Sequence, residues 1–291
     1  MTQWALTVTG KESDIGFIVR RLLPTRAARH IGPFIFLDHM GPAHFADAGT
    51  EGDVRPHPHI GLATLTYLFD GAFMHRDSLG SVQRIEPGAA NLMIAGRGIV
   101  HSERVPAEVR ATGGKVEGIQ LWLALPVALE ECEPAFHHVP AADLPQLEAP
   151  GARIRVILGE AWGLRSPVPF PAPALYAAAE LEAGAALSVP EGFAERGVYV
   201  ASGAVTLDGH PLAAGELGLL SPCDNARLVA SDNTRLLILA GPEPDAPRYL
   251  DWNFVSSRRE RIAQARDDWQ ANRFPAIPGE TERIPLPGSV V

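Results

Sequence analysis

The chain has 291 residues, 46% hydrophobic and 20% charged, enough for one large or two medium domains built round an apolar core. A formal net charge of −9 excludes nucleic-acid binding by bulk charge, because such a surface repels phosphate. Two cysteines, Cys132 and Cys223, with no CxxC spacing, exclude a disulfide framework; with no leader-like start and no apolar run of the ~18–20 residues that cross a bilayer, the expectation is a cytoplasmic protein that engages no membrane.

The 28 glycines and 26 prolines favour short strands joined by turns over long helices. Residues 62–69 are rich in β-branched and aromatic side chains and stop at Asp70-Gly71, a strand followed by a turn. Residues 91–94 form a second strand that ends at the Ala95-Gly96-Arg97-Gly98 turn, where Arg97 is expected to pair with a carboxylate. A third strand, 118–125, ends at Pro126. The stretch 133–150 holds Pro134, Pro140, Pro145 and Pro150 with little periodicity. It is the expected junction, dividing the chain into domains 1–134 and 135–291.

Beyond the junction, strand-like segments run from 154–158 to 236–240. One helix is expected over 256–271, capped by Ser256 or Ser257, with Ile262, Ala265 and Trp269 forming its apolar stripe. Arg258, Arg259 and Arg261, interrupted by Glu260, read as its solvated face. The proline-rich tail 274–291 is expected to be extended. Strand, turn, strand and glycine turn recur in both halves, at 66–71 then 85–88 and at 198–203 then 212–215. The expected fold is therefore all-β, with two similar antiparallel barrels in tandem and a C-terminal helix.

His57-Pro58-His59 precedes the first of these strands. In extended backbone, residues i and i+2 share a face, and Pro58 keeps the backbone extended. His101-Ser102-Glu103 repeats the spacing after the 95–98 turn. Paired strands carrying both motifs inward would bring together three imidazoles and a carboxylate. That donor set suits iron, manganese, nickel, copper or zinc and leaves up to two coordination positions open, unlike a closed, sulfur-rich structural zinc site. Leu62, Leu92 and Ile94 are candidates for apolar pocket walls. His39 and His44 lie near the motifs in sequence and are candidates for orienting a ligand. His75, beside Arg76 and Asp77, reads as a turn residue, and His137-His138 falls in the junction without a carboxylate at metal spacing.

The segments FIFLDHMGP (34–42), HPHIGLATLTYLFDG (57–71), HRDSLG (75–80), AGRGIVHSE (95–103), QLWLALP (120–126) and GEA (159–161) together resemble the pirin family of the cupin superfamily. The resemblance implies a bicupin, two jelly-roll-like antiparallel β-barrels, with one metal in the N-terminal barrel, usually iron. It places the ligands on His57, His59, His101 and Glu103. The family's C-terminal barrel has generally lost its metal, and aligning Gly88 with Gly215 puts Leu228 and Ala230 opposite His101 and Glu103. The chain departs from better-studied pirins at Ile60, Gly61, Leu62 and Ala63, where Arg-Gly-Phe-Glu is common, and at Asn91-Leu92, where Gln-Trp is common.

Some pirins oxidise quercetin-like flavonols. The resemblance thus implies an iron dioxygenase, taking O2 and an aromatic or enediol substrate, with Glu103 as ligand and transient base; a monomer is the expected oligomeric state. The alternative it implies is a redox-responsive iron module, Fe(II)/Fe(III), that binds a protein partner without catalysis. Zinc, manganese, nickel and copper remain compatible with the same donors.

Overall fold

Short strands dominate the computed structural model, which describes residues 4–15, 17–45, 49–221 and 225–288; Cys223 lies outside them. Among the described residues, α-helix is confined to Ala107–Ala111 and Arg259–Gln270. None is long and apolar enough to cross a membrane.

The chain forms two cupin units, each drawing on separated segments: 1–13, 20–39 and 139–244 in one, 14–19, 40–138 and 245–291 in the other. The second contains the His57 and His101 motifs. Its four-stranded sheet runs in the order Val54–His59, Ile99–Arg104, Phe73–Asp77, Val82–Ile85. Opposite lies a seven-stranded sheet ordered Ala135–Val139, Ala90–Ile94, Leu62–Asp70, Lys115–Ala124, Phe34–His44, Ile18–Leu23, Lys11–Asp14. The expected barrel thus takes the form of a two-sheet sandwich.

The other unit repeats the plan. Its small sheet is Ala186–Ser188, Arg227–Ala230, Ala204–Leu207, His210–Ala213. Its large sheet is Trp4–Thr9, Glu216–Leu220, Glu195–Ser202, Thr234–Gly241, Leu175–Leu181, Ala152–Leu158, Gln146–Ala149. An aliphatic cluster including Val156, Leu187, Val205, Leu207, Leu228 and Ile238 fills the space between the sheets.

The expected junction is partly regular, since Ala135–Val139 is an ordered strand of the seven-stranded sheet. The helix and tail, expected with the C-terminal domain, group with the unit that contains the His57 and His101 motifs. The physical reason is burial: Ile262, Ala265 and Trp269 pack with Ile60, Val100, Phe254 and Ile277. The helix begins at Arg259 without a side-chain cap. Ser256 and Ser257 are otherwise engaged, both hydroxyls donating to the Glu130 carboxylate at 3.2 and 2.9 Å. Arg97 does pair with a carboxylate, that of Glu133.

Candidate metal centre

His57 and His59 close the strand Val54–His59, with the Pro58 ring between them. That strand pairs antiparallel with Ile99–Arg104, and His57 stands directly opposite His101. Between His101 and Glu103 the register shifts, because the 54–57 segment carries an extra residue. The same segment supplies the Arg55 carbonyl that accepts a hydrogen bond from His57 Nδ1 at 2.8 Å. Gly61 follows in the left-handed region at φ 70°. Any Cβ there would collide with the Val255 carbonyl oxygen, so the chain two residues after His59 admits only glycine.

The three imidazoles of His57, His59 and His101 converge, one ring nitrogen from each lying within 4.8 Å of the others. All three are buried. His59 Nδ1 donates to the Asn253 carbonyl at 3.2 Å, and His101 Nδ1 lies 3.5 Å from His75 Nδ1. A neutral imidazole has one N–H, so these contacts leave the Nε2 lone pairs facing inward. His59 Nε2 and His101 Nε2 are 3.1 Å apart. Two lone pairs so close repel unless a cation lies between them, and this donor set therefore fits a first-row transition metal.

Burial, which disfavours the imidazolium form, lowers all three pKa values; His57 falls to about 4, with His75 adding to the shift. The three imidazoles are thus neutral at physiological pH, and their inward nitrogens are free to hold a cation.

Glu103 is not in this three-nitrogen group. Its carboxyl is buried, lies within hydrogen-bond reach of the Thr66 hydroxyl and faces His75. Burial pushes its pKa up, against the opposing pull of His75 and Thr66. Thr66 also bonds Gln120 Oε1 at 2.8 Å.

The pocket wall differs from the expectation. In the pairing of Ala90–Ile94 with Leu62–Asp70, Asn91 stands opposite Thr66 and Met93 opposite Thr64, while Leu92 and Ile94 stand opposite Leu65 and Ala63. Thr66 reaches Glu103, and Trp122, opposite Thr64, sets its ring 5.2 Å from that of His59. Asn91, Met93, Thr64, Thr66 and Trp122 therefore face the site, as does Leu62 by alternation, whereas Leu92 and Ile94 face away. Asn91 is buried; its Oδ1 accepts from His138 Nδ1, and its Nδ2 has no partner among the described residues.

The remaining histidines sort differently from their sequence neighbourhoods. His44 is exposed and bonds the Gly113 carbonyl, and His39 packs against Tyr199 with its Nδ1 2.6 Å from the phenol oxygen, so neither orients a ligand of the centre. His75, expected in a turn, lies buried in the strand Phe73–Asp77, its ring stacked on Phe136 at 4.4 Å. Its Nε2 lies 3.1 Å from Asp77 Oδ2. Asp77 is fully buried and also accepts from the Leu79 and Ser81 amides. Burial works against the Asp77 carboxylate, but the bonds from His75 and Ser81 outweigh it and lower its pKa. The available sequence signal was His75-Arg76-Asp77, the same i, i+2 spacing as the two ligand motifs.

Comparison with known proteins agrees with this architecture. The Pirin family model matches residues 16–123, and the Pirin C-terminal cupin domain model matches residues 176–275. A pirin-like protein of Caulobacter vibrioides is 45% identical over 287 residues, covering 97% of this chain and 99% of that one. Human pirin is 29% identical over 271 residues, 89% of each chain. A crystal structure of quercetin 2,3-dioxygenase from Acinetobacter baumannii is similar with a TM-score of 0.90 and 34% identity, over 98% of this chain and 95% of that one.

Proposed function

The chain belongs to the pirin family of the cupin superfamily, and from that premise we propose that it is an iron-dependent dioxygenase acting on a flavonol-type, quercetin-like substrate or a related phenol or enediol. The observation that carries the reading is the convergence of three neutral imidazoles with their Nε2 lone pairs aimed at one point. In this reading His57, His59 and His101 hold the ion and Glu103 is its fourth ligand. The ion, when bound, supplies Lewis acidity toward a hydroxyl oxygen and a route to dioxygen chemistry.

The chain's own residues do the rest. Glu103 takes the substrate hydroxyl proton on a carboxylate oxygen, with the Thr66 hydroxyl orienting that group. Met93 and Trp122 offer the flat, apolar surface that a fused aromatic ring requires, and they keep water from the reacting edge. The Asn91 amide, buried with an unpartnered Nδ2, offers a donor to a substrate oxygen.

Oxygen uptake by iron-loaded protein with quercetin and a panel of phenols tests this. Turnover in the wild type and a loss of at least about 100-fold in His101→Ala are expected, since removing one of three nitrogen donors empties the centre. Iron-loaded wild type that consumes no oxygen with any of them overturns the reading.

A further inference from the structure

A single chain of contacts leads from the third ligand histidine to a buried carboxylate. His101 Nδ1 lies 3.5 Å from His75 Nδ1, and His75 Nε2 lies 3.1 Å from Asp77 Oδ2. With Asp77 ionised and both imidazoles in their neutral form, the proton positions along it follow from valence. An ionised Asp77 only accepts, so the His75 proton sits on Nε2 and His75 Nδ1 carries a lone pair. That lone pair accepts from His101 Nδ1–H, which in turn requires the His101 lone pair to be on Nε2, the atom facing His59.

His57 and His59 need no such device, because backbone carbonyls of Arg55 and Asn253 hold their Nδ1 atoms. Among the described residues, no carbonyl takes that role for His101, whose Nδ1 meets His75 instead. The pair that replaces it is fixed on every side: Phe136 stacks on the His75 ring, and the amides of Leu79 and Ser81 grip Asp77 Oδ1.

We propose that Asp77, acting through His75, fixes the tautomer of His101, and so sets how tightly the centre holds its metal and which oxidation state it favours. Both are positioning residues. The proposal rests on the metal reading above and adds a control to it. A carboxylate one imidazole removed makes His101 a more basic ligand, which favours the more oxidised ion.

The matched strands of the other unit provide an independent observation. There, Arg227–Ala230 occupies the place of Ile99–Arg104, and its Leu228 stands opposite Leu207 as His101 stands opposite Asp77. Ala230 stands opposite Val205 as Glu103 stands opposite His75. Where the ligand histidine is absent, both members of the pair are absent with it, as expected of parts that act only together.

Asp77→Asn tests this with minimal change in shape. The new amide keeps an oxygen for the Leu79 and Ser81 amides but presents N–H toward His75, driving the His75 proton to Nδ1 and that of His101 to Nε2. Fe(II) affinity by chelator competition should fall about 10- to 100-fold, and the iron midpoint potential should rise, while the metal-free protein melts as the wild type does. His75→Asn added to Asp77→Asn returns an acceptor oxygen near the position of His75 Nδ1 and should recover most of the affinity. His75→Leu should lose affinity as Asp77→Asn does, and it decides the matter should Asp77→Asn not fold. Wild-type iron binding with unchanged affinity and potential in Asp77→Asn and His75→Leu overturns the relay alone. A wild type that binds no Fe(II) overturns the metal reading itself.

Discussion

In the unit with the three-histidine cluster, His101 stands opposite His57 on one flank and Asp77 on the other. At the same station of the other unit, Leu228 stands opposite Leu187 and Leu207. The strand plan is shared, yet each polar group of one site is matched by an aliphatic group in the other: Val205 for His75, Ala230 for Glu103, and Val189, two residues past Leu187, for His59. All these replacements belong to one apolar cluster. A buried imidazole without its partners costs roughly 2–7 kcal/mol, whereas a buried leucine contributes about 1.5–3 kcal/mol. A half-dismantled metal site is thus the worst of the available states, so the site exists entire or is replaced entire.

The largest effect expected from this comparison comes from returning one histidine to the filled unit. Leu228→His should destabilise the protein by about 3–5 kcal/mol, through lost packing and an unpaired ring. It should do so without adding a second metal equivalent. Urea unfolding with elemental analysis measures both, and a second bound ion would break the idea that partners must come as a set.

A somewhat smaller effect sharpens the comparison through pH. Native His57 takes up its proton only near pH 4, but the unfolded imidazole does so near 6.5. Between those values the unfolded chain binds more protons, so stability rises with pH and is lost on acidification. For the metal-free protein the His57 contribution is about 3 kcal/mol, fully present above pH 6.5 and lost as pH falls toward 4. His59 and His101, shifted in the same direction, steepen that loss. His101→Leu, which copies the other unit, should abolish iron binding while making the metal-free protein less sensitive to acid. Equal acid sensitivity in wild type and His101→Leu would mean that His101 is not neutral in the fold.

The legibility of the sequence follows the same division. His57-Pro58-His59 and His101-Ser102-Glu103 could be read directly, because period two places both members of each motif on one face. The aliphatic residues at the matched station of the other unit, Leu228 and Ala230, could also be read from the sequence. His75 and Asp77 were obscured by Ser78-Leu79-Gly80, whose turn signal extends visually over a motif that is strand. The interleaving of the units could not be read, since the pairing of Trp4–Thr9 with Glu216–Leu220 spans some two hundred residues and leaves no local signature. The strand Ala90–Ile94 was found, but not its facing: all five residues are buried, so no apolar–polar alternation distinguishes site from core.

That ambiguity sets up the smallest of these effects, a contrast between adjacent residues of one strand. Asn91 faces the site and Leu92 faces away, so their substitutions should separate binding from stability. Asn91→Ala removes a buried donor that has no protein partner, and the fold should lose about 1 kcal/mol, mostly the His138 bond. KM for quercetin should rise several-fold, since a donor to a substrate oxygen is gone. Leu92→Val removes a methylene from the core face and should cost about 1 kcal/mol with KM unchanged. Steady-state kinetics and thermal melts on the two variants suffice. A reversed result, with KM moving only in Leu92→Val, would require the strand to be slipped by one residue, and the Asn91 amide would then have no part in recognition.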